Sequence, residues 1–305
     1  MKFITLFILF IQFAATAQES KPNMAPQNPS PMIEHTRLHE RITDSQFEGI
    51  DYSLKDVLPK NCGIFIPAGS EGSEDPDLLI HFHGAQFVVN FAAEKYKGKI
   101  VAVDVNLGSG SHSYYNVFTD PAIFKSLVDS IRLSVSNRLN HKIEFKRIIL
   151  SGFSAGYGAV KAILNEPENF NMVYGVLLLD GMHADYIPKG KVLYDGGVID
   201  STALEPFLIF AKAAAEHHSR KKFLFTHSEI FPGTYVSTTE SADFLIRRLG
   251  MKIKPVLKWG PLGMQQLSDA HLNGCRIMGF AGNTAPDHID HLHSLYYFLN
   301  VLMRQ

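Results

Sequence analysis

A mostly parallel, doubly wound α/β sheet with helices on both faces is predicted by three observations. Short runs that are apolar at every position recur from residue 60 onward, helical patterns separate them, and several runs end directly on Gly, Pro or Asp. Runs without alternation belong to strands covered on both faces, and strand–helix alternation builds parallel sheets. The 305-residue chain is 46% hydrophobic, enough for a sizeable core, and its 23 Gly and 15 Pro exclude collagen-like or low-complexity architecture. With 29 basic and 30 acidic residues the net charge is −1, so the broad electrostatic footprint of a nucleic-acid or anionic-membrane partner is missing. Fourteen His beside two Cys raise the question of a metal.

Met1-Lys2, an apolar run from Phe3 to Ile11 and the small-residue site Ala15-Thr16-Ala17 read as a secretory signal peptide over 1–17. The run is shorter than the roughly 20 residues a membrane span needs. Residues 18–32 carry Pro22, Pro26, Pro29 and Pro31 among polar neighbours and read as a solvated, flexible leader. The remainder, 33–305, reads as a single domain. A secreted or periplasmic location permits a bridge between Cys62 and Cys275, which spacing alone cannot place in bonding range.

The strand at 62–66 is stopped by Pro67, the one at 78–83 by Gly84, and the one at 100–103 by Asp104. A helix over 121–139 follows, capped by Thr119 or Asp120 with Pro121 in its first turn, and burying Phe124, Leu127, Ile131 and Val135. The strand 148–150 leads through Gly152 and Ser154 into a helix ending near Leu164, and the strand 176–179 ends at Asp180. Next come a helix at 204–216, a strand at 223–225, a helix at 238–249, strands at 255–257 and 276–280, and a terminal helix from about Asp287. Ile289, Leu292, Leu299 and Leu302 form the inward stripe of that last helix, with His293 expected toward solvent. In such sheets ligands sit beyond the carboxyl ends of the strands, so the residues just after each apolar run are the candidates for chemistry.

Gly152-Phe153-Ser154-Ala155-Gly156 is G-x-S-x-G between a strand and a helix. A serine on that sharp turn is lifted above the sheet, and the helix behind it aims amide groups at a developing oxyanion. On this motif and the order of elements, the chain resembles the α/β-hydrolase superfamily over most of 60–305. The resemblance implies a serine–acid–histidine triad in that chain order, with an oxyanion hole near the end of an earlier strand. Ser154 is then the nucleophile. The turn His83-Gly84-Ala85 resembles the superfamily's H-G turn, which implies that amides near Gly84 and Ala85 join that of Ala155, with His83 bracing the loop. Asp180 is the first candidate for the acid. Glu229, after the strand at 223–225, is its rival, since most superfamily members place the acid one strand later. His288, at the mouth of the terminal helix, is the expected base, with His291 one turn further in as the alternative. His83, Tyr114, Tyr115 and Trp259 are candidates for the substrate pocket, with Ser111, His112 and the rest of the Trp259–Met264 loop beside them.

The expectation is an exported serine hydrolase that cleaves a small-molecule or polymer ester through an acyl-enzyme, without a cofactor, nucleic-acid partner or membrane span. Two alternatives stand beside it. His81-x-His83 has the two-residue period of paired ligands on one strand face, the basis for a metallohydrolase that adds a C-terminal His, although Ala85 and Gln86 stand where further ligands belong. A non-catalytic exported binding protein on the same scaffold is the other.

Overall fold

The structure, a computed structural model, describes residues 38–305. The signal peptide expected at 1–17 and the leader expected at 18–32 lie outside the described residues.

In chain order the described residues form β1 (Gly49–Leu54), β2 (Cys62–Pro67), β3 (Asp77–Phe82), α1 (Gln86–Glu94), β4 (Ile100–Val105), α2 (Ser111–Phe118), α3 (Pro121–Leu139), β5 (Ile148–Phe153), α4 (Tyr157–Leu164), α5 (Pro167–Met172) and β6 (Val173–Leu179). There follow the small pair β7 (Tyr186–Ile187) and β8 (Val198–Ile199), then α6 (Glu205–Ala215), β9 (Lys222–His227), α7 (Thr238–Arg248), β10 (Ile253–Trp259), β11 (Gln265–Leu272), β12 (Cys275–Phe280), α8 (Ala285–His293) and α9 (Leu295–Leu302). Ten strands join one sheet in the order β1-β2-β4-β3-β5-β6-β9-β12-β11-β10. The six inner strands from β4 to β12 run parallel. β1 and β2 close one end, and the β10–β11 hairpin the other, by antiparallel pairing.

The inner strands are apolar throughout because both faces are covered. On one face Leu78, Ile80, Phe82, Val176 and Leu178 pack against residues of α2, α3, α4 and α6, among them Phe118, Phe124, Val160 and Phe207. On the other, Leu79, Ile149, Leu177, Leu179 and Leu224 meet Val88, Val89, Leu295, Phe298 and Leu299 of α1 and α9. Successive side chains of a strand therefore enter different cores. Helix α3 starts as its sequence dictates, with the Asp120 carboxylate accepting from the Ala122 amide and Pro121 in the first turn.

Three features depart from the sequence reading, and the state of the two cysteines, which it left open, is resolved. The strand expected at 255–257 runs over Ile253–Trp259 and belongs to an antiparallel edge hairpin, with Leu257 and Trp259 exposed. Cys62 and Cys275 are both free and buried. They sit on β2 and β12, six inter-strand steps apart in the sheet, which is roughly 29 Å at about 4.8 Å per step. Burial pushes each thiol up to about 12. The terminal helix is two helices meeting at Ser294, and His293 is buried, its Nδ1 accepting the Ile42 amide at 3.0 Å. No helix among the described residues is long and apolar enough to cross a membrane.

The chain leaves β3 for its neighbour β4 and then returns to the other side of β3 as β5. That reversal opens a crevice above the carboxyl ends of β3 and β5, and the turns after β3, β5 and β6 surround it.

Candidate active site

β5 ends at Phe153, and Ser154–Gly156 make one tight 3-10 turn before α4 begins. Ser154 sits there at φ +45°, in the left-handed region that a residue with a Cβ adopts at a cost of roughly 1–2 kcal/mol. The turn is closed by contacts that tolerate no side chain. A Cβ on Gly156 would lie 2.0 Å from the Phe82 carbonyl oxygen at the end of β3, and one on Gly181 would lie 2.4 Å from the Ser154 carbonyl oxygen. Gly156→Ala is therefore expected to destabilise the protein by more than about 3 kcal/mol, because the obstacle is backbone that cannot swing aside. Chemical denaturation of the variant measures this.

Asp180 follows β6 at φ +43° and is buried. Its Oδ1 accepts from the Ser228 amide (2.9 Å) and the Thr238 hydroxyl (2.6 Å), and its Oδ2 accepts from the Ser228 hydroxyl (2.7 Å) and from His288 Nδ1 (2.7 Å). Burial raises its pKa, but the pull of His291, the hydrogen bond and charge of His288 and the Thr238 hydroxyl outweigh this and hold the carboxyl well below its usual range. A carboxylate accepting at Nδ1 fixes the His288 tautomer, leaving the lone pair on Nε2. His288 enters from the first turn of α8, whose start is set by a capping box between Thr284 and Asp287. Its ring lies 4.5 Å, centroid to centroid, from that of Phe153, the residue before Ser154.

The two rivals go elsewhere. Glu229 accepts the Gly282 amide on Oε2 and donates its own amide to the Gly282 carbonyl, both at 2.9 Å. It thus clamps the loop after β9 to the loop that delivers His288, and its carboxylate does not take the acid position beside His288. His291 is buried with Nδ1 2.8 Å from the Thr226 hydroxyl and its ring against Phe280 and Phe298, whereas the hydrogen bond to Asp180 Oδ2 is made by His288.

The H-G turn is built differently from the expectation in one respect. The Gly84 amide donates to Asn106 Oδ1 (3.0 Å), while Asn106 Nδ2 donates back to the Gly84 carbonyl (2.7 Å) and to Asp104 (2.7 Å). The Gly84 N–H is thereby spent on holding the turn, so of the three amides expected at an oxyanion it is the one already engaged. His83, at φ +70°, has left the strand. Its Nδ1 is 2.9 Å from the Tyr114 hydroxyl and its ring stacks at 6.0 Å on Phe153. Burial lowers its pKa, with the charge of His288 adding to the effect.

That turn also breaks the metal reading. His81 stays under the sheet with Nδ1 3.0 Å from the Ser151 hydroxyl, and burial pushes it down to about 3, whereas His83 turns away to Tyr114. Among the described residues the ligand-type grouping is His39, Asp287 and Asp290 instead. There the Arg41 guanidinium already donates to Asp290 and His39 Nδ1 donates to it at 2.9 Å, so the charge is met by protein.

Ser154 and Ala155 open onto a cleft of about 460 Å³. Of the expected pocket residues, Ser111 lines it. Tyr114 is fully buried behind His83, Tyr115 packs beneath the Lys161 ammonium (5.4 Å to its ring), and Trp259 stands exposed on the sheet edge. The lining comes instead from Tyr157 and Lys161 on α4, from His183 and Asp185 just after β6, and from Tyr235. Two of these were within reach of the strand-end rule, because His183 and Asp185 follow Asp180 almost directly. Tyr235 has no sequence signal.

No protein-family model and no curated protein matches the chain. Solved structures do resemble it. One is a serine-to-alanine mutant of LAE6, an alpha/beta hydrolase enzyme from the metagenome of Lake Arreo, Spain, at TM-score 0.50 and 10% identity over 87% of this chain and 86% of that one. Another is the enterobactin esterase FES from Shigella flexneri, at TM-score 0.50 and 12% identity over 85% of this chain and 59% of that one. At these identities the likeness speaks for the fold, and the chain has the α/β-hydrolase fold.

Proposed function

We propose that the protein is an exported serine hydrolase acting on a carboxylic ester or related acyl bond. The observation that carries this reading is the 2.7 Å bond from His288 Nδ1 to a buried, ionised Asp180, made beside a serine held in left-handed geometry at the head of a helix. Export rests on the N-terminal sequence, Met1 to Ala17.

Ser154 Oγ attacks the acyl carbon as His288 Nε2 takes its proton, and Asp180 holds the resulting imidazolium by charge and hydrogen bond. The amides of Ala155 and Ala85 are the donors this reading assigns to the oxyanion. Collapse of the tetrahedral adduct breaks the C–O bond, with His288 returning the proton to the leaving alkoxide. Water, deprotonated by the same imidazole, then attacks the acyl carbon, the C–Oγ bond breaks, Ser154 Oγ takes the proton back from His288, and the acid leaves. All proton transfers pass through one histidine, so no second base is required.

Reaction of the folded protein with a fluorophosphonate is expected to place one label on the peptide containing Ser154, read by peptide mass. A folded protein that takes no label there overturns the reading.

A further inference from the structure

The cleft in front of Ser154 carries a second inference, which rests on the serine-hydrolase reading and deepens it. Its polar groups are of mixed kind. Lys161 and Asp185 bring opposite charges to it, Ser111, Tyr157 and Tyr235 bring hydroxyls, and His183 brings a ring nitrogen. Among the described residues neither the Lys161 ammonium nor the Asp185 carboxylate is in an ion pair within 4 Å, although Asp200, whose Oδ1 accepts from the Thr202 amide and hydroxyl, and Asp185 both favour the Lys161 charge. His183 donates Nδ1–H to the Val236 carbonyl at 2.9 Å, which leaves Nε2 as an acceptor. Its ring meets the rings of Tyr157 and Tyr235 edge-on at 5.5 and 5.0 Å.

The apolar side chains around the cleft are those of Ala155, Ala184 and Ala203. Beyond the faces of the Tyr157 and Tyr235 rings an alkyl chain finds only these alanines to bury against, so for a long chain much of the roughly 0.8 kcal/mol per methylene that burial would supply is withheld. Opposite charges of one ammonium and one carboxylate do not select an anion or a cation. They select a neutral group that donates and accepts at several points, and tyrosine rings with wet tips suit its C–H faces. The geometry points to a short-chain ester of a polyhydroxylated, saccharide-like alcohol, with Lys161 and Asp185 as the residues that hydrogen-bond its hydroxyls.

The test uses three pairs of esters and reads ratios of kcat/KM. p-Nitrophenyl acetate is expected to exceed p-nitrophenyl decanoate, because the cleft offers a long acyl chain little apolar lining. Methyl 6-O-acetylglucopyranoside is expected to exceed cyclohexyl acetate by at least about tenfold, because hydrogen bonds to charged groups are each worth that much when an analogue leaves them unmade. Lys161→Met and Asp185→Asn are each expected to lower the second ratio on the order of tenfold, a change in selectivity that a merely structural role does not produce. A preference for decanoate, for 4-acetoxybenzoate over its methyl ester, or a sugar-to-cyclohexyl ratio unmoved by both variants overturns the inference.

Failure of the underlying reading shows separately, as turnover that survives Ser154→Ala or as no turnover of any ester. In that event saturation-transfer NMR of methyl 6-O-acetylglucopyranoside on the Ser154→Ala protein decides the matter. Transfer to the sugar ring, lost in the Lys161→Met background, supports the inference. No transfer overturns it.

Discussion

Replacing Ser154 with glycine is expected to abolish ester turnover while making the protein more stable. On the proposed mechanism the variant lacks the nucleophile, and kcat is expected to fall by a factor of about 10⁶, the scale seen when the central serine of a triad is removed. Stability rises because the +45° φ at Ser154 costs a residue with a Cβ roughly 1–2 kcal/mol, which glycine does not pay. Against this stands the larger entropy that glycine loses on folding, about 0.5–1 kcal/mol. The balance is a gain of about 0.5–1 kcal/mol, or on the order of 1–2 °C in Tm. Ser154→Ala is the control, since it removes the hydroxyl and keeps the Cβ and the strain. It is expected to lose the same activity and to stay within about 0.5 kcal/mol of the native protein. Thermal and denaturant unfolding of the two variants side by side isolates the backbone term. A glycine variant no more stable than the alanine variant shows that no strain is stored in the elbow, the turn over Gly152–Gly156 that carries Ser154.

The parts of this fold that were legible in sequence are those where burial on both faces left no room for polar residues. β3, β5 and β6 read as unbroken apolar runs because alternate side chains enter two separate cores. The elbow was legible because a glycine beside the Phe82 carbonyl admits no substitute. The edges were not. β1, at one edge, exposes alternate residues of Gly-Ile-Asp-Tyr-Ser-Leu, and β11, next to the other edge strand β10, carries Gln, Ser, Asp and His along its length, so neither shows the continuous hydrophobicity of the parallel inner strands. Helices α1 and α2 are short and follow directly on the site turns, where their first residues read equally well as loop. At the site, sequence order placed Asp180, His288 and Ser154 at strand ends, but it could not tell which of two carboxylates meets the histidine. That choice depends on where Ser228 and Thr238 put their donors, a matter of tertiary packing. The use of the Gly84 amide by Asn106, 22 residues away, lay equally beyond pattern.

Asp180→Asn is expected to cost about 10⁴ in kcat, through the histidine tautomer rather than through any gross change of shape. The amide must choose which of its two ends faces which donors. On the Oδ1 side stands the Ser228 backbone N–H, which cannot reverse its polarity, so the asparagine oxygen goes there. Its NH₂ then faces the Ser228 hydroxyl, which can rotate to accept, and His288 Nδ1, which can accept only by moving its proton to Nε2. The imidazole is left with N–H pointing at the nucleophile and cannot take its proton. Glu229→Gln makes the contrast, because a glutamine oxygen can still accept the Gly282 amide, and kcat is expected to stay within about tenfold of native. The two variants also separate in their pH dependence. Asp180 has a depressed folded pKa, so its contribution to stability is complete above the unfolded value of about 3.9 and declines as pH falls below it. The stability gap between native protein and Asp180→Asn is therefore expected to be constant near neutrality and to narrow in acid, as measured by denaturant unfolding at pH 7, 5 and 3. A gap that does not change over that range, or a Glu229→Gln variant as inactive as Asp180→Asn, assigns the acid to Glu229 instead.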